Sequence, residues 1–115
     1  MNYKGSCHWG RIAFRVEGEL KQLLECNCTL CTERGSLLWF VPRDRFTLDT
    51  PEGDLSTYTF NTHRIQHRFC GVCGCATYAE ANDPQGNPVA AVNTRCLDGV
   101  DLGPLPRVPF DGRSK

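Results

Sequence analysis

The chain has 115 residues, a length that allows one hydrophobic core, so we predict a single domain over residues 1–115. Thirteen basic and thirteen acidic side chains balance to a net charge of zero, which excludes the basic surface typical of nucleic-acid binding. A membrane span needs about 20 consecutive apolar residues, and no segment approaches that length. Residues 1–10 contain no apolar secretion signal. We therefore expect a cytoplasmic protein without nucleic-acid or membrane partners.

Short alternating or apolar runs dominate the first half of the chain and indicate strands. Polar and apolar side chains alternate in residues 11–16, and a turn at residues 17–19 leads into a second run over residues 20–26. We predict that these two runs pair as a hairpin. The continuous apolar run at residues 37–41 predicts a buried strand that ends at Pro42.

The second half of the chain continues this pattern. Residues 43–47 predict a single helical turn, and further strands are predicted at residues 55–60, 64–69, 76–79 and 89–93. The proline-rich tail from Gly103 onward is predicted to be an extended surface segment. With 11 glycines and seven prolines, the chain is predicted to be a mostly β domain with short helical turns.

Five cysteines have a spacing that is typical of zinc sites. Cys26, Cys28 and Cys31 lie within one short segment, and the pair Cys70 and Cys73 follows later in the chain. Tetrahedral zinc needs thiolate sulfurs about 2.3 Å away on several sides, and a Cys-x-Cys-x-x-Cys turn supplies three of them with little loop-closure cost. A disulfide framework is the alternative, but it requires export, for which the first residues give no signal. The spacing therefore favours zinc.

Six segments of the chain resemble one protein family. They are residues 5–8 (GSCH), 26–31 (CNCTLC), 41–46 (VPRDRF), 69–74 (FCGVCG), 92–98 (VNTRCLD) and 110–112 (FDG). These segments are similar to those of the glutathione-dependent formaldehyde-activating enzymes, a family also called the centromere protein V domain. The resemblance implies a small, mostly β, zinc-binding domain of Mss4-like fold with two zinc positions, one structural and one exposed and associated with catalysis.

The resemblance places the catalytic zinc on Cys26, Cys28 and Cys31. Three protein ligands leave a tetrahedral ion with one open position, which is typical of a reactive zinc site. A small thiol such as glutathione would enter that position and react with an aldehyde, formaldehyde in this family. The expected activity is therefore that of a carbon-sulfur lyase acting on a thiol-aldehyde adduct, resembling S-(hydroxymethyl)glutathione synthase.

The resemblance places the structural zinc on Cys7, Cys70 and Cys73, but the chain departs from the family pattern at the fourth ligand. Trp9 stands where the family usually has a cysteine, and an indole has no lone pair for zinc. Cys75 is the nearest candidate replacement in the sequence, and His8 and a water molecule are alternatives. If no ligand replaces the missing cysteine, two outcomes remain. Either the position is metal-free and Trp9 fills the space, or Cys7 forms a disulfide with one of its partners. We therefore expect one or two zinc ions per chain.

Other residues have simpler interpretations. Cys96 is predicted to be a core thiol, and His63 and His67 are predicted to lie on a solvent face. Trp39 and Phe40 are predicted to belong to the core. A carboxylate of glutathione requires a cationic partner. The candidates for that contact are Arg11, Arg43, Arg45, Arg64 and Arg68.

Two other functions remain open. In the first, the protein is a non-catalytic, zinc-stabilised binding module in which a fourth protein ligand such as Cys96 closes the Cys26 site. In the second, Cys70 and Cys73 form a redox-active pair, a role that fits poorly because no βαβ unit surrounds them. The sequence gives no prediction of the oligomeric state.

Overall fold

The computed structural model describes residues 1–60 and 64–111. In chain order the strands are β1 (Asn2–Ser6), β2 (Ala13–Glu17), β3 (Leu23–Cys26), β4 (Leu38–Pro42), β5 (Phe46–Leu48), β6 (Leu55–Tyr58), β7 (Gln66–Cys70), β8 (Ala76–Asn82), β9 (Pro88–Asn93) and β10 (Arg107–Phe110). A short helix, α1 (Thr29–Arg34), follows β3, and single 3-10 turns occupy Arg43–Arg45, Glu52–Asp54 and Thr94–Cys96. The prediction of a mostly β fold with short helical turns is confirmed.

The strands form two sheets. One has three strands in the order β1-β2-β5, and the other has seven in the order β10-β3-β4-β9-β8-β7-β6. All neighbours in both sheets are antiparallel except β10 and β3, which are parallel. The 3-10 turn at Arg43–Arg45 confirms the predicted helical turn and leads the chain from β4 of the larger sheet into β5 of the smaller one.

The core lies between the two sheets. Phe14 and Phe46 of the smaller sheet stack with ring centroids 5.2 Å apart, and the Phe46 ring lies 4.3 Å from the ring of Tyr78 in β8. Val41 and Val92 complete the contact from β4 and β9, and both are buried. Because side chains alternate along a strand, the intervening residues of β4, β8 and β9 lie on the opposite, outer face of the larger sheet.

The predicted hairpin between residues 11–16 and 20–26 is wrong. The strand β2 pairs with β1 and β5, whereas β3 pairs with β10 and β4 in the other sheet. Alternation correctly indicated two strands, but Gly18 lies between them with a φ of 150° and the chain then crosses from one sheet to the other. The N-terminal residues, for which no strand was predicted, provide the antiparallel partner of β2 instead.

The apolar run at residues 37–41 is only partly buried. Trp39 faces the core and packs edge-on against Tyr3, with ring centroids 5.4 Å apart, so its predicted core position is confirmed. The prediction for Phe40 is wrong, because its side chain is 40% exposed on the outer face, where its ring lies 6.0 Å from that of Phe110. The strand is buried on one face only.

The predicted extended tail is confirmed over the described residues, but part of it belongs to a sheet. The strand β10 pairs in parallel with β3, with Pro109 opposite Glu25. Proline is tolerated there because β10 is an edge strand and needs no hydrogen bond from that position. Residues 112–115 lie outside the described residues. No helix within the described ranges is long and apolar enough to cross a membrane.

Gly5 allows the close approach of β1 to β2 and to the segment after β9. A Cβ atom at this position would lie 2.5 Å from Cζ of Phe14 and 2.7 Å from the backbone oxygen of Cys96. We expect Gly5→Ala to lower the free energy of unfolding by about 2 kcal/mol, because neither the core ring nor the backbone can move without strain. Urea unfolding measures this change.

Gly53→Ala is the matched control. Gly53 lies in the 3-10 turn Glu52–Asp54, and an added Cβ meets no atom within 4 Å. We expect the free energy of unfolding of this control to differ from that of the unmodified protein by less than about 0.5 kcal/mol. Equal stability of the two variants would contradict the close packing described at Gly5.

Candidate metal centres

Two groups of three cysteines lie at the same end of the larger sheet. Cys26 ends β3 and Cys70 ends β7, and the antiparallel order of the strands between them directs β3 and β7 the same way. The three intervening strands β4, β9 and β8 place the ends of β3 and β7 about 19 Å apart, at about 4.8 Å per strand. The two groups are therefore separate sites.

The first site consists of Cys26, Cys28 and Cys31, whose Sγ atoms lie within 4.8 Å of one another. The strand β3 positions Cys26, and Cys28 is the N-cap of α1 with its Sγ accepting a hydrogen bond from the backbone N–H of Cys31. The donor and acceptor in this bond are 3.4 Å apart, and the N–H of Cys28 lies 3.5 Å from Sγ of Cys26. All three thiols are half-buried. The start of α1 thus fixes three thiols around one point.

Backbone hydrogen bonds and burial act in opposite directions on these thiols. Burial tends to raise the pKa of Cys28, but hydrogen bonds from backbone N–H groups, that of Cys31 first, lower it. The pKa of Cys31 is raised, mainly by burial and then by the neighbouring Cys28 and Cys26 sulfurs. The site thus favours one thiolate, and additional negative charge is disfavoured unless a cation is present.

The second site consists of Cys7, Cys70 and Cys73, also with Sγ atoms within 4.8 Å of one another. Cys7 follows β1 of the smaller sheet, while Cys70 ends β7 of the larger sheet and Cys73 lies in the turn between β7 and β8. Sγ of Cys7 accepts a hydrogen bond from the N–H of Ile12, and Sγ of Cys70 accepts one from the N–H of Cys73, both at 3.4 Å. Cys7 is 3% exposed and Cys70 is fully buried, so this site is more enclosed than the first.

Trp9 does not fill the space between the thiols of the second site. Its side chain is 55% exposed, and the guanidinium carbon of Arg11 lies 4.1 Å from the centre of its ring. The backbone at Trp9 nevertheless contributes to the site: N–H groups of Cys75 and then Trp9 hydrogen-bond to Cys73 and lower its pKa to about 6. The predicted alternative in which Trp9 occupies the metal position is therefore wrong.

The predicted alternative of a disulfide at Cys7 is also wrong. All eight cysteines belong to the described residues, and every one of them is a free thiol.

Two further cysteines lie beside the second site. Cys75 follows Gly74, whose φ of 84° turns the chain back into β8. Sγ of Cys96 lies 3.5 Å from the backbone oxygen of Ala76. Burial and then Cys75, Cys7 and Cys73 raise the pKa of Cys96 to about 12. Cys96 packs against the main core, as predicted, and its position argues against the hypothesis that it closes the Cys26 site.

The donor atoms of both sites fit a metal ion such as zinc. Each site offers three soft thiolate ligands around one point, and backbone N–H groups stabilise the negative charge that such ligands carry. Among the described residues, no Asp or Glu carboxylate of the kind that calcium and magnesium prefer belongs to either group. Two cysteine triads are therefore able to hold metal ions in this protein.

His67 differs from its predicted position on a solvent face. It is half-buried, its Nε2 atom is inaccessible, and that atom has no hydrogen-bond partner among the described residues. Burial and then the positive charge of Arg34 lower its pKa, so the imidazole is neutral at pH 7. Its ring stacks on Phe60, with centroids 5.3 Å apart. His63 lies outside the described residues.

Most of the arginines proposed to bind a substrate carboxylate are engaged elsewhere. Their ion pairs are Arg11 with Asp54 at 3.2 Å, Arg43 with Glu80 at 2.8 Å, Arg45 with Glu17 at 3.3 Å and Arg68 with Glu80 at 2.9 Å. The two that share Glu80 lower the pKa of its carboxyl group against the opposing effect of burial. These four arginines are poor candidates for the predicted contact, and their carboxylate partners are too distant in sequence for a local pattern to reveal them.

A family model and a solved structure both match this chain. The family model for glutathione-dependent formaldehyde-activating enzyme matches residues 2–107. A crystal structure of a Rhodobacter sphaeroides protein, solved in a structural genomics programme, superposes with a TM-score of 0.78 at 27% sequence identity, covering 91% of this chain and 99% of that one. Since the family model spans nearly the whole chain, including all eight cysteines, the protein belongs to the family of glutathione-dependent formaldehyde-activating enzymes.

Proposed function

We propose that the protein is a zinc-dependent enzyme that adds the thiol of glutathione to formaldehyde, and that it catalyses the reverse carbon-sulfur cleavage. The observation that carries this proposal is the Cys26, Cys28 and Cys31 group. It offers three converging, half-buried thiols, and no fourth metal-binding side chain joins them in the part of the chain that the structure describes. A three-ligand site that solvent can reach is typical of a reactive zinc centre.

Zinc at this group would supply a Lewis acid with one coordination position open to substrate. In the reaction, the sulfur of the thiol forms a bond to the carbon of formaldehyde, and the electron pair of the carbonyl π bond moves to oxygen. The proton released by the thiol is balanced by the proton that this oxygen gains, so the product is S-hydroxymethylglutathione with no redox change. The reverse reaction breaks the same carbon-sulfur bond.

The residues of the first site have a positioning role in this proposal. The N–H of Cys31 holds the sulfur of Cys28, and the N–H of Cys28 holds the sulfur of Cys26. Such contacts to ligand atoms fix ligand orientation in metal sites. The start of α1 thereby holds together the three sulfurs that would bind the ion.

We propose a structural zinc at Cys7, Cys70 and Cys73. Cys7 belongs to the segment after β1 of the smaller sheet, and the other two belong to the larger sheet, so a shared ion would link the sheets. Cys75 remains the proposed fourth ligand because its backbone N–H contacts the sulfur of Cys73, but its Sγ does not belong to the group of three that lie within 4.8 Å of one another and would have to turn toward the ion. Eight free thiols suit a reducing compartment, which supports the proposed cytoplasmic location.

Zinc content tests the two-site proposal. We expect two zinc ions per chain in protein purified without chelator, and one in each of Cys28→Ser and Cys73→Ser, because serine is a poor zinc ligand and each variant disrupts one site. Mass spectrometry of metals after desalting measures the content. Cys75→Ser should weaken retention at the second site, whereas Cys96→Ser should retain both ions.

Other zinc contents would change the assignment. A single ion that is lost only in Cys73→Ser would contradict the catalytic proposal and support a zinc-stabilised binding module. A single ion lost only in Cys28→Ser would leave the catalytic site and remove the proposed structural one.

Activity and stability should separate in the same two variants. We expect Cys28→Ser to lose S-hydroxymethylglutathione formation above the spontaneous rate while keeping its melting temperature within a few degrees, because the first site is half-buried at the end of a strand. Cys73→Ser should melt about 10 °C lower, since loss of a structural ion at the enclosed site removes about 2 kcal/mol or more of folding free energy. NMR detection of the product and thermal unfolding measure the two effects, and equal melting losses would count against separate roles.

A further inference from the structure

Most arginines of known position are engaged in ion pairs within the protein. Five arginines pair with carboxylates, namely the four described above and Arg15, whose Nε lies 2.9 Å from a carboxylate oxygen of Asp49. Among the described residues, the arginines without an ion pair are Arg34, Arg64, Arg95 and Arg107. The side chains of Arg34 and Arg95 are held by contacts with other parts of the protein, whereas Arg64 and Arg107 have no such contact with another described residue.

Arg34 and Arg95 lie at the C-terminal end of α1, next to the first metal site. The guanidinium carbon of Arg34 is 5.5 Å from the centre of the Phe69 ring. Nε of Arg95 donates a hydrogen bond of 2.8 Å to the backbone oxygen of Gly35. Gly35 ends the helix with a φ of 69°, and its own N–H donates to the oxygen of Cys31 at 2.9 Å. Two exposed cationic side chains are thus attached one helical turn from a proposed zinc ligand.

We propose that Arg34 and Arg95 form the carboxylate-recognition site for the thiol substrate. This inference rests on the proposed function, because it takes the thiol to bind at Cys26, Cys28 and Cys31. Glutathione carries two carboxylates, and an unpaired arginine recognises a carboxylate through parallel N–H donors. No carboxylate of the described residues lies within ion-pair distance of either guanidinium, so both are available to a ligand.

The spacing fits a thiol peptide. Arg34 follows Cys31 by three residues on α1, and residues at this spacing lie on the same helix face with Cβ atoms about 5–6 Å apart. The cysteine and glycine of glutathione span at most about 7 Å when extended. The Arg34 guanidinium lies farther from Cys31 than its Cβ, beside Phe69 of β7, so a substrate with its sulfur at the metal site would place a carboxylate there by extending toward β7.

The local contacts leave donors free on both arginines. The hydrogen bond from Arg95 to Gly35 uses one of the five N–H donors of a guanidinium and fixes the side chain at its Nε end. The guanidinium of Arg34 lies over the Phe69 ring and donates no hydrogen bond to another described residue, so its N–H donors are available. Both contacts restrict the side chains before a ligand arrives, which lowers the entropy cost of binding.

The test measures glutathione binding and turnover in Arg34→Gln, Arg95→Gln and the double variant. We expect each single variant to raise both the KM and the calorimetric Kd for glutathione about tenfold, because each loses one charge-assisted contact, with little change in kcat. Glutathione diethyl ester has the same thiol but no carboxylate. It should bind all variants and the unmodified protein with similar, weak affinity.

Arg45→Gln is the matched control. Its ion pair with Glu17 lies on an exposed surface formed by β2 and the turn before β5, so its removal should change neither glutathione binding nor stability by a measurable amount. Melting curves of all variants separate a general loss of fold from a loss of ligand contact. Retained zinc content in the arginine variants separates a binding effect from collapse of the metal site.

Three results would overturn the inference. Unchanged glutathione KM and Kd in the double variant, with turnover intact, would reject the arginine pair and leave the proposed function standing. An equal loss of ester and glutathione binding would assign the two arginines a structural role. Absence of both glutathione binding and turnover in the unmodified, zinc-loaded protein would reject the proposed function and the inference with it.

Discussion

The convergence of thiols is the constraint on which the arrangement of the protein depends. Three sulfurs within 4.8 Å of one another cannot all carry negative charge without strong mutual repulsion. Raised pKa values at Cys31 and Cys70, beside lowered values at Cys28 and Cys73, reflect this competition in both sites. A bound cation removes this repulsion, so metal binding and folding are linked at both sites.

The two sites differ in what surrounds the thiols. Cys7 and Cys70 form a small buried cluster with Ile12, and partly buried leucines pack around it. The first site has no fully buried thiol, and its residues lie where β3 leaves the sheet and α1 begins. An enclosed site suits an ion that holds elements together, and a half-buried one suits an ion that meets a substrate. Both sites consist of three cysteines, so the difference in burial, and not the type of ligand, supports a structural role for the second site and a catalytic role for the first.

Sequence reasoning succeeded where the signal was local. The spacing of Cys26, Cys28 and Cys31 on one short turn predicted their convergence, and alternation located most strands. It failed where partners are distant in sequence. Alternation cannot say which sheet a strand joins, so the predicted hairpin between β2 and β3 was wrong, and Cys7 was joined to Cys70 only through a family resemblance. The sequence could not separate free arginines from paired ones for the same reason. Four of the candidate arginines form ion pairs with carboxylates that are distant in sequence.

The outer face of the larger sheet contains Phe40 and His67, and the Arg34 side chain lies beside it. Register pairs Phe40 with Ala91, Ala91 with Ala79 and Ala79 with His67, so one row across the sheet has small side chains at its centre and rings at its ends. Arg34 reaches this face from α1 and lies near both Phe69 and His67. The buried Nε2 of His67, which has no hydrogen-bond partner among the described residues, therefore belongs to the same surface as the proposed carboxylate site, and its neutral imidazole adds no positive charge that would repel the Arg34 guanidinium. In the proposal, selectivity for an anionic thiol follows from the positive charge of the arginines rather than from His67.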